Sequence, residues 1–401
     1  MNVSNLDSCQ STDTHSCNFR TSVCIVSHNG YGAIAGGKSG FIGGVELQTS
    51  LLAKWMGNRG HSVSFLTWDE GGPGDEVIDG VRVIKICRRD AGLPGLRFFY
   101  PKWSGLVTAM QKADADVYYH NCGECVTGQI AIWCKMNRRK LIFALASNAD
   151  CDPSLPEMNK IHEKILFKCG LRLADGVIAQ THTQQLMLKS NFNVDSIVIP
   201  MPCQDMTGCD FAPPSNAARR VLWVGRVCPV KRLEWFLELA DLSPEWQFDL
   251  VGPFDGTGYS EQLKERAKRI SNITLHGKVE KERINDFYRR SGVLCCTSIY
   301  EGFPNTFLEA WSRGLPVVST FDPDGVIGRE NLGRFVTDVA EMRVAIQELM
   351  TQHLSFCECS RNGRKYYVEN HNAERVMPRL EQVIHTVLSG RLLEDDLIDG
   401  Q

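Results

Sequence analysis

The sequence predicts an α/β protein of two doubly wound, mostly parallel-sheet units that face each other across a cleft. Three observations predict it. Short apolar runs alternate with helical patterns from about residue 21 to residue 388. The alternation lapses once, where Pro200, Pro202, Pro213 and Pro214 give turn composition without periodicity. The 401 residues are also enough to bury two cores of ordinary domain size.

The elements follow in order. Residues 1–20 are polar, rich in Ser, Asn, Asp and Thr, and read as a disordered tail. The first domain, 21–200, carries apolar runs expected as strands at 22–26, 63–67, 81–86, 117–120, 141–145, 176–179 and 197–199. One helical pattern between them puts Val45, Thr49, Leu52 and Met56 on a face, and another Ile161, Ile165, Cys169 and Leu173. Residues 201–219 read as the linker. The second domain, 220–372, has strands expected at 221–225, 248–251, 273–275, 293–296 and 316–319. Residues 373–401 form an end helix and tail, with Val376, Leu380, Val383 and Val387 on the apolar face.

Composition excludes several classes. A net charge of -3 and a sequence pI of about 6.4 give no support for bulk nucleic-acid binding. The first residues lack the basic start and apolar core of a signal peptide, and no apolar stretch approaches the ~20 residues that span a bilayer. A cytoplasmic protein is expected. The 93–103 segment, with Leu93, Phe98, Phe99, Tyr100 and Trp103 among Arg97 and Lys102, suits peripheral contact with the inner face of an anionic membrane. The competing expectation is an aromatic loop packed over the first domain.

Sixteen cysteines invite a metal reading. Cys24, Cys87, Cys295 and Cys296 lie in apolar runs, where a thiol acts as a small hydrophobe. His120, Cys122 and Cys125 have plausible zinc spacing, but a closed site takes four ligands and Cys357 and Cys359 lie far along the chain. Reduced thiols are expected.

The most informative stretch runs from Glu301 to Glu309. It follows the apolar run Val293-Leu294-Cys295-Cys296 and opens a helix, with Pro304 suited to the first helical position. Two acids on a crevice rim can fix hydroxyls, and the helix start between them can hold phosphate. A similar strand end carries Val224-Gly225-Arg226, with Lys231 beyond it; Gly225 permits close backbone approach, and the two cations suit phosphate oxygens.

In this order, Gly225-Arg226, Lys231 and the pair Glu301 and Glu309 resemble the retaining glycosyltransferases of the GT-B fold, specifically family 4 of the group 1 type. Gly43-Gly44-Val45-Glu46 and Arg59-Gly60-His61-Ser62-Val63 resemble that family's opening, and the resemblance runs from about Thr21 to Leu388. It implies two Rossmann-like domains and transfer of a sugar from a nucleotide-diphosphate-sugar donor to a hydroxyl of a saccharide or lipid-linked acceptor, with retention, in polysaccharide, glycolipid or other glycoconjugate synthesis.

The resemblance also implies roles. Glu309 would hold the donor ribose and Glu301 the transferred sugar, while Arg226 and Lys231 neutralise the leaving diphosphate. His120, from the opposite domain, would hydrogen-bond the sugar or the forming bond. Gly43, Gly44 and Gly225 would lie against the donor, and the base near Gly252, Gly277, Lys278 and Val279. Amides at the helix start would assist, shifted from Pro304 to Asn305 and Thr306, with Gly325 and Val326 offering others. Asp150 and Asp152 are spare candidates for acceptor contacts. No cofactor, metal or enzymic nucleophile is expected, although Asp114 with Asp116, Asp150 with Asp152, and Asp322 with Asp324 have the Asp-x-Asp form that holds divalent cations elsewhere.

Three rivals remain. A Rossmann dehydrogenase needs G-x-G-x-x-G, which the glycines from Gly36 to Gly44 do not form, and Asp69 lies too far on for its ribose acid. A sugar-nucleotide epimerase shares the plan, but the two spaced glutamates speak against it. A non-catalytic sugar-nucleotide-binding protein is separated only by incubation with donors.

Overall fold

A computed structural model describes residues 20–36, 43–71, 74–205, 219–391 and 393. The expected tail, residues 37–42, most of the linker and the C-terminal end lie outside these described residues.

The first half carries β1 (Ser22–Val26), β2 (Ser62–Thr67), β3 (Glu76–Ile78), β4 (Val81–Lys85), β5 (Val117–Asn121), β6 (Lys140–Ala144), β7 (Gly176–Ala179) and β8 (Ile197–Val198). Among the described residues these form one sheet in the order β3-β4-β2-β1-β5-β6-β7-β8, parallel except between β3 and β4. The second half carries β9 (Arg220–Val224), β10 (Gln247–Val251), β11 (Ile273–Gly277), β12 (Val293–Cys296), β13 (Val317–Ser319) and β14 (Gly333–Phe335). They form a parallel sheet ordered β11-β10-β9-β12-β13-β14. Helices return the chain between parallel strands, so both faces of each sheet are covered and the strands are apolar on both sides.

Two edge strands escaped the sequence reading. β3 pairs antiparallel with β4 through Asp79 (φ 48°) and Gly80 (φ 78°), the Asp-Gly hairpin turn that the sequence does display. β14 is three residues long and too short for periodicity to reveal.

Helices lie where their patterns fall, but not always on the expected face. On Gly44–Asn58, Thr49, Leu52 and Met56 are buried, together with Glu46, while Val45 is only half-buried. On Ile161–Leu173 the expected face is wrong: Ile161 is 72% and Ile165 60% exposed. That helix presses against Cys125–Asn137 so closely that a Cβ on Gly128 would strike the Leu166 carbonyl. The tight glycine contact, rather than the isoleucines, sets which side turns inward, and Phe167, Gly170 and Leu171 are buried instead.

The end helix Ala373–Leu388 buries Val376, Met377, Leu380, Val383, Ile384 and Val387 against the first sheet. Each such side chain contributes up to roughly 1.5–3 kcal/mol, so the helix is anchored to the first domain. At its polar edge Glu381 accepts from Arg59 (2.7 Å) and from His61 Nε2–H (2.8 Å), while the Thr21 N–H donates to His61 Nδ1 (3.3 Å). His385 stands close enough to complete a group of metal-ligating type. The hydrogen bonds on both His61 nitrogens give this cluster a fastening role.

His371 precedes that helix. Its Nδ1–H donates to the Met201 carbonyl (2.9 Å), and its ring lies 4.5 Å from that of Phe303. Burial pushes its pKa down to about 4. The unfolded imidazole, near 6.5, therefore takes up its proton first as pH falls. Stability from this group is full above about pH 6.5 and declines toward pH 4, by about 3 kcal/mol in all. Denaturant titrations between those pH values should show a shallower slope for His371→Gln than for the wild type; equal slopes would place the acid sensitivity elsewhere.

Candidate active site

In each sheet the strand order reverses beside its first strand: β1 lies between β2 and β5, and β9 between β10 and β12. Crevices outside the carboxyl ends of strands at such reversals bind ligands. His28 and His120 stand at the first reversal, and Gly225, Arg226, Lys231 and Glu301 at the second.

On the second domain, Lys231 closes a single turn, Pro229–Lys231, and its ammonium pairs directly with the Glu301 carboxylate. The Ser298 hydroxyl donates to the same oxygen of Glu301 (2.5 Å). Burial pulls the Lys231 pKa down, but the adjacent Glu301 outweighs it and holds the ammonium above the ordinary lysine range. Sequence reasoning placed these two side chains on different parts of a ligand; the fold ties them to each other.

Arg232 adopts a left-handed conformation (φ 43°), and its guanidinium donates to the Thr297 carbonyl (2.8 Å) and the Thr320 hydroxyl (2.8 Å). It binds the loop after β9 to the ends of β12 and β13. No sequence signal separates it from its neighbour Lys231. Gly252, at φ 153°, packs so closely that a Cβ would strike the Gly225 carbonyl, and its N–H donates to the Gly277 carbonyl (2.8 Å). Lys278 is exposed beside it and Val279 is half-buried.

Pro304 is the N-cap of Asn305–Ser312 and not its first helical residue (φ -64°, ψ 122°). Its extended ψ aims the chain into the helix, and the Phe307 N–H bonds its carbonyl (3.0 Å). Glu309 accepts from the buried Tyr288 hydroxyl (2.5 Å), whose pKa burial raises well above the phenol range. Tyr288 had no signature in the sequence beyond its place on an amphipathic helix.

The cleft is bridged by this same segment. Phe303 N–H donates to Gln180 Oε1 (2.8 Å), and Asn148 N–H donates to the Glu301 carbonyl (3.0 Å). Gln48 Nε2–H donates to Asn305 Oδ1 (2.8 Å), and a Cβ on Gly44 would run into the Asn305 amide. The Phe303 amide, expected in a phosphate cradle, is thus engaged by the first domain. The amides of Asn305 and Thr306 have no hydrogen-bond partner among the described residues. Gly43 caps Gly44–Asn58, so two helix starts, each with a positive dipole end, face each other here.

Asp324, at φ 51°, completes the bridge: its carboxylate accepts from the His182 (2.7 Å) and Thr183 (2.9 Å) N–H groups at the start of His182–Phe192. Gly325 N–H bonds back to the Asp322 carbonyl (3.4 Å), Val326 is buried, and Asp322 caps the turn at Ile327 and Gly328. The remaining Asp-x-Asp pairs are likewise engaged. Asp114 and Asp116 bind Arg139, and Asp150 accepts from the Ala146 (2.9 Å) and Ser147 (3.1 Å) amides. Burial raises Asp150 to about 6, against the pull of those amides. Asp152 caps Ser154 (2.7 Å). Both acids are engaged within the first domain.

On the first domain, His120 is buried at the end of β5; its Nδ1–H donates to the Val26 carbonyl (2.9 Å), which leaves Nε2 as an acceptor without a partner among the described residues. Burial pushes its pKa below the ordinary value, so the ring is neutral. His28, which sequence reading passed over, is buried beside it and stacks on Trp68 (4.2 Å, 9°), and its Nε2 is also unpartnered. Glu124 lies 3.8 Å from His28 Nδ1, and against the upward pull of partial burial its contact with His28 holds its carboxyl below the usual range. Arg226, exposed on the opposite domain, acts electrostatically on Glu46, as does Glu124. Cys122 and Cys125 keep protonated thiols, with Cys125 pushed up to about 11 by burial.

Two Rossmann-like sheets meeting at their carboxyl ends, with paired cations and two helix starts, define a GT-B protein. Residues 218–352 match the family described as Glycosyl transferases group 1, and residues 42–202 match Glycosyltransferase Family 4. The chain belongs to these group 1, family 4-like glycosyltransferases. It is 26% identical over 334 residues to mannosylfructose-phosphate synthase of Agrobacterium fabrum, covering 69% of this chain and 71% of that one. Its fold matches sucrose-phosphate synthase from Thermosynechococcus elongatus (TM-score 0.76, 18% identity), covering 92% of this chain and all of that one. It also matches Anabaena HepE in complex with UDP and glucose (TM-score 0.71, 16% identity), with the same coverage. At those identities the likeness to the solved structures is one of fold.

Proposed function

We propose that the protein transfers a glycosyl group from a nucleotide-diphosphate sugar to an acceptor hydroxyl, with retention of configuration and without a metal ion. The observation that carries this reading is the meeting of the Arg226 and Lys231 strand end with two opposed helix starts at the chain reversals of both sheets. Cations and helix N-termini stabilise charge that grows on a departing diphosphate. A HepE structure that contains UDP and glucose supports the same donor class for this fold.

In this reading Glu309, steadied by Tyr288, accepts from the ribose hydroxyls, and Glu301 accepts from the transferred sugar. His120 offers a neutral Nε2 lone pair across the cleft to a sugar or acceptor hydroxyl. No side chain is assigned as a nucleophile; the departing phosphate takes the acceptor proton on the face it leaves.

Thermal stabilisation by UDP-, GDP- and ADP-sugars should single out one base, because ligands that bind only the folded chain raise its stability with concentration. With that donor, product should form in EDTA and retain the donor's anomeric configuration by NMR. Loss of activity in EDTA with rescue by manganese would overturn metal independence, and an inverted product would overturn retention.

A further inference from the structure

Beside the histidine pair a cavity of about 650 Å³ opens, walled by the loops that follow β2 and β4. Its cations are Arg88, Arg89, Arg97 and Lys102. Four cations stand against three acids, of which Glu70 interacts electrostatically with Arg89. Asp90 pairs with Arg88 (3.4 Å), and Asp69 is taken by Lys85 (3.9 Å) and the Gly71 N–H (3.0 Å). Neither guanidinium of Arg89 nor Arg97 has a hydrogen bond or ion pair among the described residues. Lys102 stands over the Trp68 ring (5.4 Å), and the ring of Trp68 in turn carries His28.

The cavity therefore adjoins the proposed reaction centre across Trp68, whose ring has Lys102 near it and His28 stacked on it. Arg89 acts on Glu124, the carboxylate beside the histidines, and Lys278 of the second domain acts on Glu70 in the cavity wall. At about 4.8 Å per strand, the ends of β2 and β4 lie roughly 10–14 Å from His120. That is the reach of an acceptor one or two sugar rings long.

We propose that this cavity binds a phosphate ester carried by the acceptor, gripped by Arg89, Arg97 and Lys102, and so presents an acceptor hydroxyl to His120. Arginine forks match phosphate oxygens two at a time, and a lysine adds a mobile charge. The acceptor role rests on the transferase reading above; the anion site itself does not. Two sources offer this chemistry. A soluble sugar phosphate fills the cavity from solvent. A lipid headgroup reaches it from a membrane, next to which Leu96, Phe99 and Tyr100 stand 63%, 62% and 75% exposed.

The test uses the full chain and Arg89→Gln/Arg97→Gln, two exposed positions whose change leaves the core intact. Inorganic phosphate and glucose 6-phosphate, added with the nucleotide that stabilises the protein most, should raise its melting temperature further, and glucose should not. The double variant should bind the phosphates at least tenfold more weakly while its nucleotide stabilisation is unchanged. Flotation with phosphatidylcholine vesicles, with and without 30% phosphatidylglycerol, forms the second arm. Binding confined to glucose 6-phosphate identifies a soluble acceptor, and binding confined to the anionic vesicles, lost in the variant, identifies a headgroup. Absence of binding in both arms, or equal binding by the variant, overturns the proposal. Failure of every nucleotide would overturn the donor reading instead, and the variant comparison would still decide the anion site.

Discussion

Lys231→Ala should lower kcat/KM by about 2–4 kcal/mol, roughly 30- to 1000-fold, with a weaker hold on the nucleotide product. The ammonium stands at the chain reversal of the second sheet, and Glu301 keeps it charged. In the proposed reading its interaction with a diphosphate strengthens as the bond to the sugar breaks, so the loss should fall chiefly on the chemical step. Removing it also leaves the half-buried Glu301 carboxylate with the Ser298 hydroxyl alone, which costs some stability. Arg226→Ala tests the second cation, whose side chain is exposed. Steady-state kinetics and calorimetry with the nucleotide diphosphate measure both. Normal turnover in both variants would move the phosphate site elsewhere.

Glu301→Gln and Glu309→Gln should fail in different ways. In the proposed reading Glu301 meets the sugar, where positive charge rises in the transition state, so its loss should cut kcat by about 10²–10³-fold. Because the carboxylate also competes for Lys231, the nucleotide diphosphate should bind the Glu301 variant as well as the wild type or better. In the same proposal Glu309 meets ribose, which does not change during transfer, and its loss should raise donor KM and weaken nucleotide binding with less effect on kcat. Tyr288 would retain a partner in the glutamine, so the fold should tolerate the change. Equal loss of nucleotide affinity in both variants would show that Glu301 meets a different part of the donor.

The parallel sheets were legible because buried strands are near-continuous apolar runs, and those at 22–26, 176–179 and 293–296 fall where the runs do. Glu301 and Lys231 could be picked out for a related reason: each follows such a run by a few residues, and strand ends are where chemistry collects. What sequence could not supply was pairing at a distance. The bonds from Gln180 to Phe303, Gln48 to Asn305 and Asp324 to His182 join residues more than a hundred positions apart. Their residue types are ordinary, and only the meeting of two domains makes them partners. His28 was missed because its role depends on stacking with Trp68 in the next strand's loop. Ile161 and Ile165 misled because hydrophobicity alone ignores how closely two glycines let helices approach.

The hydrogen bonds that bridge the cleft also bear on occupancy. Phe303, Asn305 and Glu301 each spend a polar group on the first domain, and Asp324 spends both oxygens there. A donor that enters between the sheets competes with the first domain for those groups. A neutral hydrogen bond is worth about 0.5–1.5 kcal/mol net and a charged one about 1.5–3, so parting the domains costs several kcal/mol. The intrinsic affinity of the parted form is then diluted by the small fraction of molecules that populate it. Any substitution that weakens the bridge, far from the reacting atoms, should therefore tighten the apparent hold on the donor.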